Sequence, residues 1–168
     1  MAVRHGREKV VKSLLGINGV DVNKADNDDK TPLLVASQMG RKKVVKSLLG
    51  INGVDVNKAD NDDKTPLWMA SQYGHDEVVE LLLGKDGVDV NKADGIFRHT
   101  PLSIALKMYD PRFDSLRSRK YKKVIGLLRL LGGGLGGGGL GGGGFGGGGL
   151  GGGGLGGGKG GGLGGGAE

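Results

Sequence analysis

The feature that most constrains this chain is a verbatim internal repeat. The string VVKSLLGINGVDVNKADNDDKTPL runs from Val10 to Leu33 and returns letter for letter from Val44 to Leu67, an offset of 34 residues. Two tripeptides mark the same period: Asp-Val-Asn begins at Asp21, Asp55 and Asp89, and Thr-Pro-Leu begins at Thr31, Thr65 and Thr100. A fixed period of this length is typical of stacked repeats, in which each unit buries its apolar face against its neighbours.

Each unit predicts two short helices. The threonines that precede proline are expected N-caps, with proline at the first helical position. In the best-defined unit the first helix should span residues 66 to 73 and end at Gly74. Val78, Val79, Leu82 and Leu83 then form one apolar stripe of a second helix, with Gly84 as its C-cap.

The segments between units predict a turn or a short hairpin. Val88, Asp89 and Val90 alternate in polarity, and Asn, Asp and Gly residues follow them. Ala36, Ala70 and Ala105 are small enough for neighbouring first helices to approach closely. Because isolated helices of two or three turns are only marginally stable, the units must pack against one another. The pattern therefore predicts an all-α helical solenoid.

At this point a family resemblance is clear. DNDDKTPLWMASQYGHDEVVELLL followed by VDVNKAD resembles the ankyrin repeat, whose hallmarks are Thr-Pro-Leu-His-x-Ala, a Gly-His link, a Val-Val-x-x-Leu-Leu helix and an Asp-Val-Asn hairpin. The resemblance covers residues 2 to about 131. It implies an ankyrin-repeat solenoid with short β-hairpin or turn connections and a non-catalytic role in protein binding, as adaptor or scaffold.

Two departures from the ankyrin pattern carry structural expectations. Leu34, Trp68 and Ser103 replace the histidine of Thr-Pro-Leu-His, and we interpret Trp68 as a packing residue. Asp29 and Asp63 replace the usual turn glycine. Aspartate tolerates a left-handed backbone better than most residues, so these turns are expected to persist.

The alignment of the repeats divides the chain into units. Residues 1–26 form a truncated first unit, 27–60 the second, 61–94 the third and 95–131 a divergent last unit with an insertion at 110–121. In that insertion Asp110-Pro111 should end a helix, residues 112–121 should form a basic connector, and a helix should resume at Lys122. The N-terminal side shows no polar capping unit, which favours a shortened array or a fragment of a longer one.

Residues 132–168 form a glycine-rich low-complexity tail, with 28 of the 39 glycines of the chain. Leu135, Leu140, Phe145, Leu150 and Leu155 recur there every five residues. Glycine runs lose much entropy on ordering and bury little, so we expect disorder. The alternative is a structural role in which the apolar residues drive self-association.

The sequence predicts no catalytic residue, cofactor, metal site or small-molecule substrate. There is no cysteine, and the three histidines have no partner at metal-ligand spacing. Gly153 to Lys159 matches a phosphate-loop pattern, but Gly160 stands where Ser or Thr is needed. No run of about 18 apolar residues exists to span a membrane. We expect an intracellular protein, cytoplasmic unless the basic segment directs it to the nucleus.

The ankyrin resemblance places a partner protein on hairpin tips and first helices of the concave side. By register the partner-binding positions are Asn27, Asp28, Lys30, Gln38, Met39, Asn61, Asp62, Lys64, Gln72, Tyr73, Phe97, His99, Lys107 and Met108. Tyr73 and Phe97 are the expected hot spots, because aromatic residues dominate interface energetics.

A basic segment gives the alternative function. Residues 107–129 hold eight Lys or Arg and two Asp, which equals the net charge of +6. Arg117, Arg119, Lys120, Lys122 and Lys123 could serve a nuclear adaptor as an import or nucleic-acid patch. The favoured interpretation is a solvated connector and helix face.

Overall fold

The computed structural model describes residues 2–17, 19–112 and 115–132. Within these ranges the chain forms helices joined by turns, with no β-strand, and the predicted all-α solenoid is confirmed. The turn, rather than the hairpin, therefore connects the units. The predicted disordered tail lies, from residue 133 on, outside the described residues. The helices are α1 (Glu8–Leu15), α2 (Pro32–Gln38), α3 (Lys42–Leu49), α4 (Pro66–Tyr73), α5 (Asp76–Leu83), α6 (Pro101–Met108) and α7 (Leu116–Leu130).

The first helix of each unit, α2, α4 or α6, begins at a threonine cap. The Oγ1 atoms of Thr31, Thr65 and Thr100 each accept the main-chain N–H of the residue three positions later, at 3.2 Å. Gly74 ends α4 in the left-handed conformation, with φ of 68°. The predicted bounds of this helix are confirmed. Gly84 is the C-cap of α5 as predicted, but in a right-handed conformation, and the chain turns left-handed only at Gly87.

The helices stack in two rows. α2, α4 and α6 pack side by side in one row, and α1, α3, α5 and α7 in the other. Each first helix also packs on the second helix of its own unit, in the pairs α2–α3, α4–α5 and α6–α7. Ala36, Ala70 and Ala105 are fully buried, which fits the predicted close approach of the first helices. The core between the rows is built by buried valines and leucines such as Val44, Leu48, Val78 and Leu82.

A hydrogen bond from a side chain to a main-chain carbonyl joins each unit to the preceding one. Gly6, Gly40 and Gly74 have φ between 63° and 68°, and each lies against a side chain of the following unit. Those side chains differ although their task is the same. Arg41 Nε donates to the carbonyl of Arg4 at 3.0 Å, His75 Nε2 to that of Gln38 at 3.0 Å, and the Tyr121 hydroxyl to that of Gln72 at 2.5 Å.

An asparagine ladder joins the units on the side of the long turns. Asn23 Nδ2 donates to the carbonyl of Gly53 at 2.7 Å, and Asn23 Oδ1 accepts the N–H of Asp55 at 2.8 Å. Asn57 repeats both bonds with Gly87 and Asp89. The repeated Asp-Val-Asn tripeptide therefore connects consecutive units by paired hydrogen bonds.

The predicted basic connector over residues 112–121 is wrong in its second part. α7 begins at Leu116, because Ser115 Oγ accepts the N–H of Ser118 at 3.2 Å and caps the helix. Arginine and lysine are good helix formers, so charge density alone does not indicate a loop. Tyr121 lies in this helix and is buried against the third unit, which fixes the helix on the array.

Candidate functional site

The turns before the first helices are held by aspartate side chains. Asp26 Oδ1 accepts the N–H groups of Asp28 and Lys30 at 3.0 and 2.9 Å, and Asp60 does the same one unit later. Asp29 and Asp63 adopt φ of 57° and 61°, so the expected left-handed turns are confirmed. Because each turn satisfies its own N–H groups, its tip is held in one conformation.

The tips are also bonded to one another. The N–H of Asn61 donates to the carbonyl of Asp28 at 3.3 Å, and the N–H of Gly95 donates to the carbonyl of Asp62 at 2.8 Å. Lys92 of the third unit lies 3.3 Å from Asp63. The tips of successive units therefore form one continuous row beside the first helices.

Two of the tips carry a short ion pair. Lys30 lies 3.0 Å from Asp28, and Lys64 lies 2.8 Å from Asp62. The hydrogen bond from Lys64 holds the pKa of Asp62 below its usual value. These exposed pairs contribute little to stability, and they leave alternating charges along the row.

The last tip is apolar where the earlier tips are acidic. Asp94 is buried, and its carboxylate accepts the N–H groups of Ile96, Phe97 and His99 at 3.0, 2.7 and 3.1 Å. Arg98 takes the left-handed conformation with φ of 57°. The turn therefore presents Ile96 and Phe97 to solvent, with 59% and 68% of their surface exposed.

Trp68 packs beneath this tip. Its ring is buried with Leu34, Met69 and Ile104 in a small cluster, and its Nε1 donates to the carbonyl of His99 at 2.8 Å. The interpretation of Trp68 as a packing residue is therefore confirmed. The bond ties α4 to the last turn, so the tryptophan positions the tip above it.

A groove lies between the last turn and the helices α4 and α6. It encloses about 200 Å3. Two lysines lie over aromatic rings at its rim: Lys64 Nζ is 5.3 Å from the centroid of Trp68, and Lys107 Nζ is 5.6 Å from that of Phe97. We call it the recognition groove, and its lining residues are Lys64, Trp68, Gln72, Asp94, Ile96, Phe97, His99, Ile104, Lys107 and Met108.

Comparison with known proteins matches residues 1–94 to ankyrin repeats, in three copies. The match covers more than half of the chain. This chain belongs to the ankyrin repeat family. Comparison with individual curated proteins gave no match. The turn with Phe97 and the helix α6 follow the matched residues, so the recognition groove combines the third ankyrin repeat with the divergent last unit.

The ankyrin array brings together some of the predicted partner-binding residues and separates others. Those that share the recognition groove are Lys64, Gln72, Phe97, His99, Lys107 and Met108. Asn27, Asp28, Lys30, Asn61 and Asp62 lie in the row of turn tips. Gln38, Met39 and Tyr73 lie at the C-terminal ends of α2 and α4.

Tyr73 lies apart from the recognition groove. It is 48% exposed, and its ring stacks on that of His75 with centroids 6.1 Å apart. His75 is the histidine of the ankyrin Gly-His link. Burial lowers the pKa of His75, and the nearby cations Lys120 and Arg41 lower it further. The hydrogen bond to Gln38 and the carboxylate of Asp76 raise the pKa only in part. Tyr73 therefore covers a structural histidine while keeping about half of its own surface open.

Sequence reasoning missed Ile96 and Asp94. A signal for Ile96 was present, because the acidic pairs Asp28-Asp29 and Asp62-Asp63 give way to Ile96-Phe97 in the last turn. The role of Asp94 follows the earlier turn aspartates Asp26 and Asp60 by register. The groove itself could not be predicted from the sequence, because it depends on the contact between the last turn and Trp68.

The basic segment lies in the helix α7 rather than in a loop. Lys123 lies 3.4 Å from Asp76 and 3.4 Å from Glu80 on α5, and Arg117 lies over the ring of Tyr121 at 5.7 Å. Lys120, Lys122 and Arg119 are exposed on the same helix. At least Lys123 therefore serves the packing of α7 on the array.

Among the described residues no cluster of histidine, aspartate and glutamate is arranged to hold a metal ion. The same part of the chain contains no helix that is both long and apolar enough to cross a bilayer.

Proposed function

We propose that this ankyrin chain is a non-catalytic binding module that holds a partner protein against its turn tips and first helices, centred on the recognition groove. Ankyrin repeats are generally protein–protein interaction modules. The observation that carries the proposal is the exposed pair Ile96 and Phe97 on a turn fixed by the Asp94 carboxylate.

Preformed geometry supports this assignment. The turn is tied to Asp94 on one side and, through the carbonyl of His99, to Trp68 on the other. A partner that binds there does not have to order the turn, and this lowers the entropic cost of association. Aromatic side chains on such a rigid support are typical anchors of an interface.

The charges of the rim indicate the chemistry of the partner. Lys107 lies beside the exposed ring of Phe97 and has no carboxylate partner among the described residues. A partner segment that places an apolar side chain against Ile96 and Phe97, and a carboxylate near Lys107, would complement both properties. Lys64 is bonded to Asp62, so Lys107 is the stronger electrostatic contact.

The test compares proteins captured by the full chain with those captured by matched variants. Phe97→Ser removes the anchor and Lys107→Glu reverses the rim charge, whereas Leu130→Ser changes an apolar residue that is 84% exposed at the far end of α7. We expect one set of partners to be lost with both groove variants and retained with Leu130→Ser.

A purified partner from that set is then titrated with each variant. We expect Phe97→Ser to weaken binding by at least tenfold, as hot-spot residues do. Partners that bind all three variants equally would place recognition elsewhere and refute the groove assignment.

A further inference from the structure

We propose that Asn52 is a site of spontaneous covalent modification, at which its side-chain amide cyclises onto the main-chain nitrogen of Gly53 and the chain is left with aspartate or isoaspartate. The site lies in the turn that follows α3, and neither residue lines the recognition groove. The modification does not depend on the proposed function.

The reaction requires only the protein and water. The main-chain nitrogen of Gly53 attacks Cγ of Asn52, a C–N bond forms, and the amide nitrogen leaves as ammonia with the proton that the Gly53 nitrogen gives up. One water molecule then opens the five-membered imide. Addition at the side-chain carbonyl gives aspartate, whereas addition at the main-chain carbonyl gives isoaspartate, in which the chain runs through Cβ. No oxidant or reductant is consumed.

The turn leaves both reacting groups open. Asn52 and Gly53 are its central residues, and the N–H of Val54 donates to the carbonyl of Ile51 at 3.4 Å. Asn52 is exposed, and within the described residues neither its side chain nor the N–H of Gly53 makes a hydrogen bond. A Cβ on Gly53 would meet nothing within 4 Å, so no side chain covers the attacking nitrogen. Glycine itself offers the least steric resistance to ring closure.

The asparagines of the ladder are held differently. The side-chain amides of Asn23 and Asn57 are hydrogen-bonded through both the oxygen and the nitrogen to the following unit. Each of them precedes a lysine, whose side chain hinders attack by its main-chain nitrogen. Asn52 is the one described asparagine that precedes a glycine.

Asp94 shows how the fold protects a similar dipeptide. It also precedes a glycine, but its carboxylate accepts three main-chain N–H groups. The N–H of Gly95 donates to the carbonyl of Asp62 at 2.8 Å, and a Cβ on Gly95 would lie 2.9 Å from Oδ2 of Asp63. Within the described residues, the turn after α3 has none of these restraints.

Isoaspartate at this site breaks the asparagine ladder. The carbonyl of Gly53 accepts Asn23 Nδ2 at 2.7 Å, and the N–H of Asp55 donates to Asn23 Oδ1 at 2.8 Å. Isoaspartate inserts a methylene into the main chain directly before Gly53 and shifts this carbonyl from its donor. Because the stability of a stacked array depends on the contacts between neighbouring units, the junction of the first and second units is weakened.

The third unit shows that ordinary aspartate fits the same position. Asp86 precedes Gly87 at the register of Asn52 and Gly53. Asn57 nevertheless donates to the carbonyl of Gly87 at 2.7 Å, the same distance as in the preceding unit. The aspartate product should therefore leave the ladder intact, and the isoaspartate product should be the one that weakens it.

The experiment follows the conversion by peptide mapping of the full chain. Trypsin releases the same peptide, SLLGINGVDVNK, from residues 13–24 and 47–58, so Asn18→Gln is introduced to give the first copy a distinct mass. Circular dichroism compares the folding of this variant with that of wild type. The variant is incubated at neutral pH in water enriched in heavy oxygen and digested in ordinary water, so conversion during digestion is recognised by its lighter mass.

We expect aspartate and isoaspartate to accumulate at Asn52, while Asn57 in the same peptide stays an amide. Because the turn leaves the reacting groups open, the rate at Asn52 in the folded chain should lie within tenfold of the rate in a synthetic peptide of residues 47–58. A rate that is more than tenfold lower than in the peptide, or equal conversion at Asn57, overturns the proposal.

Urea unfolding tests the consequence for the ladder. In the Asn18→Gln background, we expect the aged chain with isoaspartate at position 52 to unfold at a lower urea concentration than the fresh chain. Asn52→Asp is the matched control, and it should unfold at the same concentration as the fresh chain. An aged chain as stable as the fresh one, or an equal loss in Asn52→Asp, overturns the assignment to the ladder.

Discussion

The hydroxyl of Tyr121 donates a hydrogen bond to the main-chain carbonyl of Gln72 at 2.5 Å, and the ring lies against Gly74. His75 makes the equivalent bond one unit earlier, and Arg41 makes it one unit before that. Three unlike side chains thus make one kind of bond, to the main-chain carbonyl of the preceding unit that stands two residues before its left-handed glycine. The divergent last unit remains attached to the array because Tyr121 preserves this contact.

Removing the Tyr121 hydroxyl tests this bond. We expect Tyr121→Phe to lower the free energy of unfolding by about 1 to 2 kcal/mol, because the carbonyl of Gln72 loses its donor in a partly buried setting. Urea unfolding followed by circular dichroism measures the change. Tyr73→Phe, which removes an exposed hydroxyl, is the control, and an equal loss in both variants would contradict the assignment.

The glycines that lie against Arg41, His75 and Tyr121 should tolerate substitution less well than the glycines in the open turns. A Cβ on Gly40 would lie 2.6 Å from Nδ1 of His75, whereas one on Gly53 would meet nothing within 4 Å. Both positions are left-handed, so Gly53→Ala isolates the backbone cost of about 1 kcal/mol or somewhat more. We expect Gly40→Ala to cost at least about 1 kcal/mol beyond that, since His75 must move off its acceptor. Thermal unfolding of the two variants decides the matter, and equal melting temperatures would refute the expectation.

The protonation of His75 should make stability depend on pH. Burial lowers the pKa of His75 in the folded state, so the unfolded chain binds the proton more tightly. The contribution of neutral His75 is therefore complete above the ordinary histidine pKa of about 6.5, and it is lost as the pH falls through the folded value. We expect wild type to lose more unfolding free energy than His75→Gln between pH 7.5 and the acid side of that window. Parallel pH profiles for the two proteins would exclude this role.

Substitution of Tyr73 should affect partner binding and leave stability nearly unchanged. Because its ring is about half exposed and stacks on His75, we expect Tyr73→Ala to change the free energy of unfolding by less than about 1 kcal/mol. Its affinity for a partner identified with the groove variants should fall if the interface extends along α4. Titration calorimetry and urea unfolding give the two numbers, and a collapse of stability would assign Tyr73 to the core.

The repeated leucine offers a comparison in which the local sequence is held constant. We expect Leu48→Ala to destabilise the chain by about 2 to 5 kcal/mol, as truncation of a buried leucine does. Leu14→Ala should cost less than about 1 kcal/mol, because its side chain is about half exposed. Similar costs for the two would mean that Leu14 is covered in solution.

Sequence reasoning reached the helices and turns because their signals are local. Threonine before proline placed the helix starts, and the left-handed Asp29 and Asp63 followed from known backbone preferences. It misplaced the start of α7 because a run of arginine and lysine fits both a loop and a helix face. Only the burial of Tyr121 against the third unit decides between the two.

The recognition groove shows the same limit. Phe97 could be selected from the sequence as an exposed aromatic residue in an enlarged turn, and the structure indeed exposes it. The position of Phe97 relative to Lys107 and Trp68 could not be derived from the sequence, because this position depends on how the last turn folds over α4. The bond from Trp68 to the carbonyl of His99 is a contact between units that no local pattern encodes.

By itself the sequence determined the two-helix unit, the period, the helix caps and the apolar stripe of each second helix. The tertiary structure alone decided which stripe is covered. α1 and α3 share the segment KVVKSLL, yet Leu48 is buried and Leu14 is about half open. Burial is set by the neighbours that surround a side chain, and identical segments acquire different neighbours when one stacks inside the array and the other stands at its end.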